Sequence, residues 1–177
     1  MKYLVASDIH GSWYFTQILL EIIKKENPDK VILLGDLYYH GPRNGLSMEY
    51  DPMKVAKAFN EIKDKLEVIK GNCDAEVDEM ISEFKFQNYI RKEIGGKRFF
   101  FTHGHHYNID NLPDNVDVLV YGHFHTGYVR FNNGVVCINA GSISLPKNAT
   151  PNSYLIIDEE QIYLKDLNGE LIDNYKY

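Results

Sequence analysis

Short apolar runs separated by turn-forming residues dominate the first half of the chain. Lys2-Tyr3-Leu4-Val5-Ala6 and Val31-Ile32-Leu33-Leu34 are continuous enough to predict strands buried on both faces. Between them, Trp13–Lys25 places Ile18, Leu19, Ile22 and Ile23 at helical spacing. Asn27-Pro28-Asp29 ends that helix, because proline lacks a donor and restricts the residue before it. Asp51-Pro52 predicts an N-cap with proline at the first helical position. The helix it opens carries Val55, Phe59, Ile62 and Leu66 on one stripe. Leu66–Ile69 predicts a third strand, and Val77, Met80, Ile81 and Phe84 predict another short amphipathic helix.

From residue 89 the pattern changes to hairpins. Gly95-Gly96 separates Tyr89–Ile94 from Arg98–Thr102, and Asn132-Asn133-Gly134 separates Tyr128–Phe131 from Val135–Ile138. Glu159-Glu160 and Asn168-Gly169 turn the last strands, and Val116–Tyr121 is one more buried run. Strand–helix units followed by hairpins predict an α/β fold of two packed sheets with helices outside. The 177 residues fit one domain spanning 1–177. A domain of this size buries roughly 70% of its unfolded surface, enough to stand without disulfides.

Composition narrows the function classes. Thirteen Tyr and nine Phe exclude a disordered chain. The net charge of -6, without a basic run longer than a pair, argues against tight nucleic-acid binding. It leaves room for a small phosphorylated substrate. No apolar run approaches the ~20 residues of a membrane helix. The apolar start, Met1–Ser7, lacks the charged region and cleavage site of a signal peptide. Cys73 and Cys137 form no disulfide framework. A cytoplasmic protein is expected.

The chemistry sits after the apolar runs. Ser7-Asp8-Ile9-His10-Gly11, Gly35-Asp36 and Gly71-Asn72-Cys73-Asp74 each follow one. So do Thr102-His103-Gly104-His105 and Tyr121-Gly122-His123-Phe124-His125. Ligands of open α/β sheets bind at strand C-terminal ends, where glycine lets the backbone turn sharply. Asp, Asn and His together suit Mn²⁺, Fe²⁺, Zn²⁺ or a mixed pair. Asp8-x-His10 and His123-x-His125 can each present both side chains to one cluster. Asp36 is the carboxylate placed to bridge two cations, which would clamp a phosphoryl group and activate water. A single histidine is more often structural than ligating, but all seven lie near apolar runs and none follows His125. His40 and His106 are the weaker candidates, and Cys137 reads as a small core residue.

These five motifs, in this order and spacing, resemble those of the calcineurin-like metallophosphoesterases. The resemblance covers essentially the whole chain. His40-Gly41-Pro42-Arg43-Asn44 and Gly71-Asn72-Cys73-Asp74 make it closest to the small bacterial YfcE-like phosphodiesterases. It implies a four-layer αββα sandwich of two mixed sheets with the site at the sheet edge. It further implies that Asp8, His10 and His125 hold one metal, and Asn72, His103 and His123 the other, with Asp36 bridging. Two divalent ions are implied, most commonly Mn²⁺, with Fe, Zn or Ni as alternatives. The implied reaction is hydrolysis of a small phosphodiester by in-line attack of a metal-bridging hydroxide.

One departure stands out. Many members carry a histidine after the motif asparagine, implicated in protonating the leaving group, whereas this chain has Cys73. A thiol is a poorer donor than imidazolium, so Cys73 is either a weak acid for the reaction or a small spacer. His105 is the next candidate acid, and Arg43 could hold a phosphate oxygen through its planar fork. A phosphomonoesterase would use the same site. A non-catalytic scaffold, like the retromer subunit of this fold, is disfavoured because every ligand position is filled. Core and interface aromatics look alike in sequence, which leaves a homo-oligomer open.

Overall fold

The computed structural model describes residues 1–177. Strands β1 (Tyr3–Ala6), β2 (Lys30–Leu33), β3 (Leu66–Ile69) and β4 (Phe86–Gln87) run parallel. They alternate with helices α1 (Trp13–Glu26), α2 (Pro52–Glu61) and α3 (Glu76–Ile81). After β4 come β5 (Ile90–Ile94), β6 (Lys97–Phe101), β7 (Val118–Tyr121), β8 (Gly127–Asn132) and β9 (Val135–Ala140). The chain ends with β10 (Ser153–Ile157), β11 (Gln161–Asp166) and β12 (Leu171–Lys176). The last three return to the first sheet, giving the order β12-β11-β10-β1-β2-β3-β4. The second sheet has the order β5-β6-β7-β9-β8.

Local signals place these elements. The Ser12 side chain caps α1 by accepting from the Phe15 N–H, and Asn27 closes it in a left-handed conformation. Asp51 caps α2 by accepting from the Lys54 N–H, with Pro52 in the first turn. Tight turns at Gly95-Gly96 and around Asn133-Gly134 join antiparallel pairs β5–β6 and β8–β9. Leu66, expected on the α2 stripe or in the third strand, belongs to the strand.

Two alternating rows along each central strand divide the core. Tyr3, Val5, Ile32 and Leu34 face Phe99, Phe101, Val118 and Val120 of the other sheet, forming the inter-sheet layer. Leu4, Ala6, Val31 and Leu33 point the other way, onto Leu19, Ile23, Val55 and Phe59 of α1 and α2. The α/β sandwich is therefore the expected one. Its outermost layer over the second sheet is a loop, not a helix. Ile109 and Leu112 pack there on Phe100, Leu119 and Tyr121. The α3 stripe is a further difference, because Val77 and Met80 are exposed while Ile81 and Phe84 pack inward. No helix is long and apolar enough to cross a membrane.

Candidate metal centre

The loops after β1, β2, β3, β6 and β7 converge at one edge of the sandwich. Asp8, His10, Asp36, His103 and His125 are almost fully buried there, His123 is half-buried, and Asn72 is exposed. Five of these seven candidates adopt left-handed backbone: Asp8 (φ 56°), His10 (50°), Asp36 (55°), His123 (66°) and His125 (56°). Such residues cost roughly 1–3 kcal/mol each and persist only where the surroundings over-determine them. Here the Ile9 and His10 N–H groups both donate to the Asp36 carbonyl (3.1 and 2.9 Å), and Ser142 Oγ donates to the Asp8 carbonyl (2.7 Å). Gly71 and Gly122 permit the close approach. A Cβ on Gly71 would collide with Asp36 Oδ1, and one on Gly122 with Ser7 Oγ.

Three histidines share one device. Nδ1 of His10, His103 and His125 donates to the carbonyls of Tyr39, Leu34 and Leu145, at 2.7, 2.8 and 2.6 Å. A carbonyl only accepts, so Nδ1 carries the proton and Nε2 is aimed into the site. His10 Nε2 lies 3.2 Å from His125 Nε2, and both approach Asp8 Oδ1, at 3.6 and 3.3 Å. Asp8 Oδ2 is already used by Ser7 Oγ and the His123 N–H, whereas Oδ1 is buried without a partner. A buried carboxylate oxygen facing two imidazole nitrogens calls for a cation.

On the other side, His103 Nε2 lies 3.0 Å from Asn72 Oδ1 and 3.2 Å from His123 Nδ1. Asp36 stands between the groups. Its Oδ1 accepts from the Cys73 N–H, while Oδ2 lies 3.7 Å from His10 Nε2 and 3.4 Å from His103 Nε2. These donors fit divalent ions, which the nitrogen and carboxylate set alone would bind. Burial opposes charge on His103, but the hydrogen bond to Asp36 and the charges of Asp8 and Asp36 push it up to about 9.

The candidates outside the ligand set separate. Arg43 and Cys73 line a cavity of about 480 Å³ together with Asp36, Asn72, His123 and His125. Burial, reinforced by the Asp36 charge, pushes the Cys73 thiol up to about 12. His105 does not open into that cavity. It lines a neighbouring one of about 440 Å³ with His106 and Tyr107, its ring 5.4 Å from that of His103. Burial and the neighbouring imidazoles push His105 down to about 4.

Sequence reasoning missed three contributors. Asp74, quoted only as part of a motif, accepts from the N–H groups of Asp36, Leu37 and Gly71. Ser144 braces the Asp8 segment by donating to the Ile9 carbonyl at 2.8 Å. Lys147, far from any motif, lines the larger cavity.

A model of the calcineurin-like phosphoesterase superfamily domain matches residues 1–161. The chain belongs to that superfamily. Phosphodiesterase YfcE of Escherichia coli (strain K12) is 39% identical over 175 residues, 97% of this chain and 95% of that protein. The solved structure of that phosphoesterase superimposes with a TM-score of 0.95 at 36% identity, covering 99% of both chains. Phosphodiesterase MJ0936 of Methanocaldococcus jannaschii is 26% identical over 173 residues, 92% of this chain and 96% of its own. Vacuolar Protein Sorting 29 from Cryptosporidium parvum shares the fold alone, with a TM-score of 0.66 at 18% identity.

Proposed function

We propose that residues 1–177 form one domain acting as a metal-dependent phosphodiesterase on small diesters. The observation that carries this reading is the position of Asp36 Oδ2 between His10 Nε2 and His103 Nε2. Asp8, His10 and His125 would hold one divalent ion, and Asn72, His103 and His123 a second, with Asp36 shared. Mn²⁺ is the proposed occupant, with Fe, Zn or Ni as alternatives of the same coordination chemistry. When bound, two such ions supply charge neutralisation at the phosphoryl group and activation of the attacking water.

The protein's own groups do the rest. Three backbone carbonyls fix the ring orientations of His10, His103 and His125, so the donor set is organised before any ligand arrives. Arg43 makes no ion pair within the chain, and its fork is free to hold a non-bridging phosphate oxygen. Cys73 offers a thiol to the departing oxygen, a weak donor that leaves most of the developing charge on the leaving group. His105, expected from the sequence as the next candidate acid, lines the neighbouring cavity and is pushed down to about 4, so it is poorly suited to donate that proton. The unpaired Cys73 and Cys137 suit a reducing cytoplasm.

The test is a panel of natural and chromogenic phosphate esters, assayed after chelation and again after Mn²⁺ is restored. Diester hydrolysis that disappears with chelation and returns with Mn²⁺ is the expected result. Turnover of monoesters alone would assign a phosphatase to this site. No turnover of any ester, with metal bound, would leave only the scaffold reading.

A further inference from the structure

The larger cavity holds one cation more than a simple diester needs. A phosphodiester carries a single negative charge, which the proposed metal ions and Arg43 would already meet. Lys147 lines the same cavity, and neither Arg43 nor Lys147 pairs with a carboxylate of this chain. In a chain of net charge -6, this cavity beside the proposed metal centre nevertheless keeps two uncompensated cations.

The turn that carries Lys147 is built into the site. Its backbone N–H donates to the His125 carbonyl at 2.8 Å, and the preceding Leu145 carbonyl accepts from His125 Nδ1. Thr150 Oγ1 donates to the Lys147 carbonyl at 2.8 Å, and Asn148 Nδ2 to Thr126 Oγ1 at 2.9 Å. Asn148 and Ala149 are successive left-handed residues, with φ of 54° and 58°. Two left-handed central residues define a type I′ turn, closed here by the Thr150 N–H on the Lys147 carbonyl at 3.1 Å. The turn starts at Lys147, and the bond to the His125 carbonyl fixes its base to the chain of a proposed metal ligand.

We infer that Lys147 is a specificity residue, reading a second phosphate group borne on one arm of the diester. The inference rests on the phosphodiesterase reading and names its substrate class: a phosphodiester with an additional phosphate monoester or pyrophosphoryl group. A volume of about 480 Å³ accommodates such a molecule, since it falls within the range of small-ligand pockets.

Two chromogenic diesters with the same 4-nitrophenyl leaving group test it, one with a methyl arm and one with a 3-phosphopropyl arm. The Mn²⁺-loaded protein is expected to favour the phosphorylated arm by about tenfold or more in kcat/KM, the scale of one charge-assisted contact. Lys147→Gln should remove that preference, bringing the kcat/KM ratio of the two esters to near unity, and Lys147→Arg should retain it. Calorimetric titration with 1,3-propanediol bisphosphate and propyl phosphate gives a readout independent of turnover. The bisphosphate should bind more tightly, with the advantage lost in Lys147→Gln. A wild-type preference near unity, or one untouched by Lys147→Gln, overturns the inference. Equal preference for a carboxypropyl arm overturns the choice of phosphate. Failure to cleave even the methyl ester refutes the phosphodiesterase reading instead, and the titration then still decides the role of Lys147.

Discussion

The carboxylate of Asp74 lies behind Asp36 and takes up its backbone N–H at 2.8 Å. The same Oδ2 accepts from the Gly71 N–H at 2.7 Å, and Oδ1 accepts from the Leu37 N–H at 2.9 Å. One buried side chain thus ties the turn after β2 to the turn after β3. It holds Asp36 in its left-handed backbone.

Asp74→Ala should therefore harm both stability and metal binding. It leaves three backbone donors without their acceptor, and each buried unsatisfied group costs about 1–3 kcal/mol. A fall in thermal midpoint of several degrees is expected, with Mn²⁺ affinity about 10–100-fold weaker. Melting curves and metal titration check this. Unchanged metal affinity in a folded variant would show that Asp74 does not position Asp36.

Asp36→Asn tests the bridge itself. The amide keeps an acceptor for the Cys73 N–H but cannot neutralise two cations. At least one equivalent of metal and nearly all diester hydrolysis should be lost. Elemental analysis beside turnover gives the answer. Two retained metals with near wild-type rates would rule the bridging role out.

Metal uptake should strengthen as pH rises. His103 in the metal-free chain keeps its proton up to about 9, despite burial, because of Asp36 and Asp8. Proton and cation compete for the same Nε2, so below that value each displaced proton weakens apparent affinity about tenfold per pH unit. Titration of the chelated protein with Mn²⁺ between about pH 6 and pH 8 should show this slope and proton release into the buffer. A flat profile would mean that the imidazoles are not the ligands.

Cys73→His should flatten the dependence of rate on leaving group. With a thiol there, nitrophenolate should depart readily and an alkoxide slowly. A positioned imidazole is worth about 10²–10⁴-fold for the poorer leaving group. A plot of log kcat/KM against leaving-group pKa compares the two proteins. Equal, shallow slopes would indicate that another group already protonates the leaving oxygen.

Much of this site was legible because its residues obey local rules. Asp8, His10, Asp36, His103, His123 and His125 each follow an apolar strand, and glycine marks each sharp turn. What escaped notice lies far away in sequence. Lys147 reaches the cavity only because the segment after β9 folds back on His125. Ser142 and Ser144 meet Asp8 across more than 130 residues, a contact that no spacing rule predicts. Helical periodicity also misled at Val77 and Met80. The six-residue α3 is too short to bury a full stripe, and its one buried residue is Asp78, which accepts from the Ala75 N–H. The roof formed by Ile109 and Leu112 has no period at all, so its apolar residues read as scattered loop positions.

The two sheets contribute unequally to the proposed ligand set. Asp8, His10, Asp36 and Asn72 come from loops of the first sheet, while His103, His123 and His125 come from the second. The ions would thus act as rivets across the seam between the sheets. A chain nicked near Asn88, between β4 and β5, would hold an incomplete ligand set in each fragment. Reassembly of the two fragments should then become metal-dependent, so that the same ions proposed for chemistry would also report whether the halves are joined.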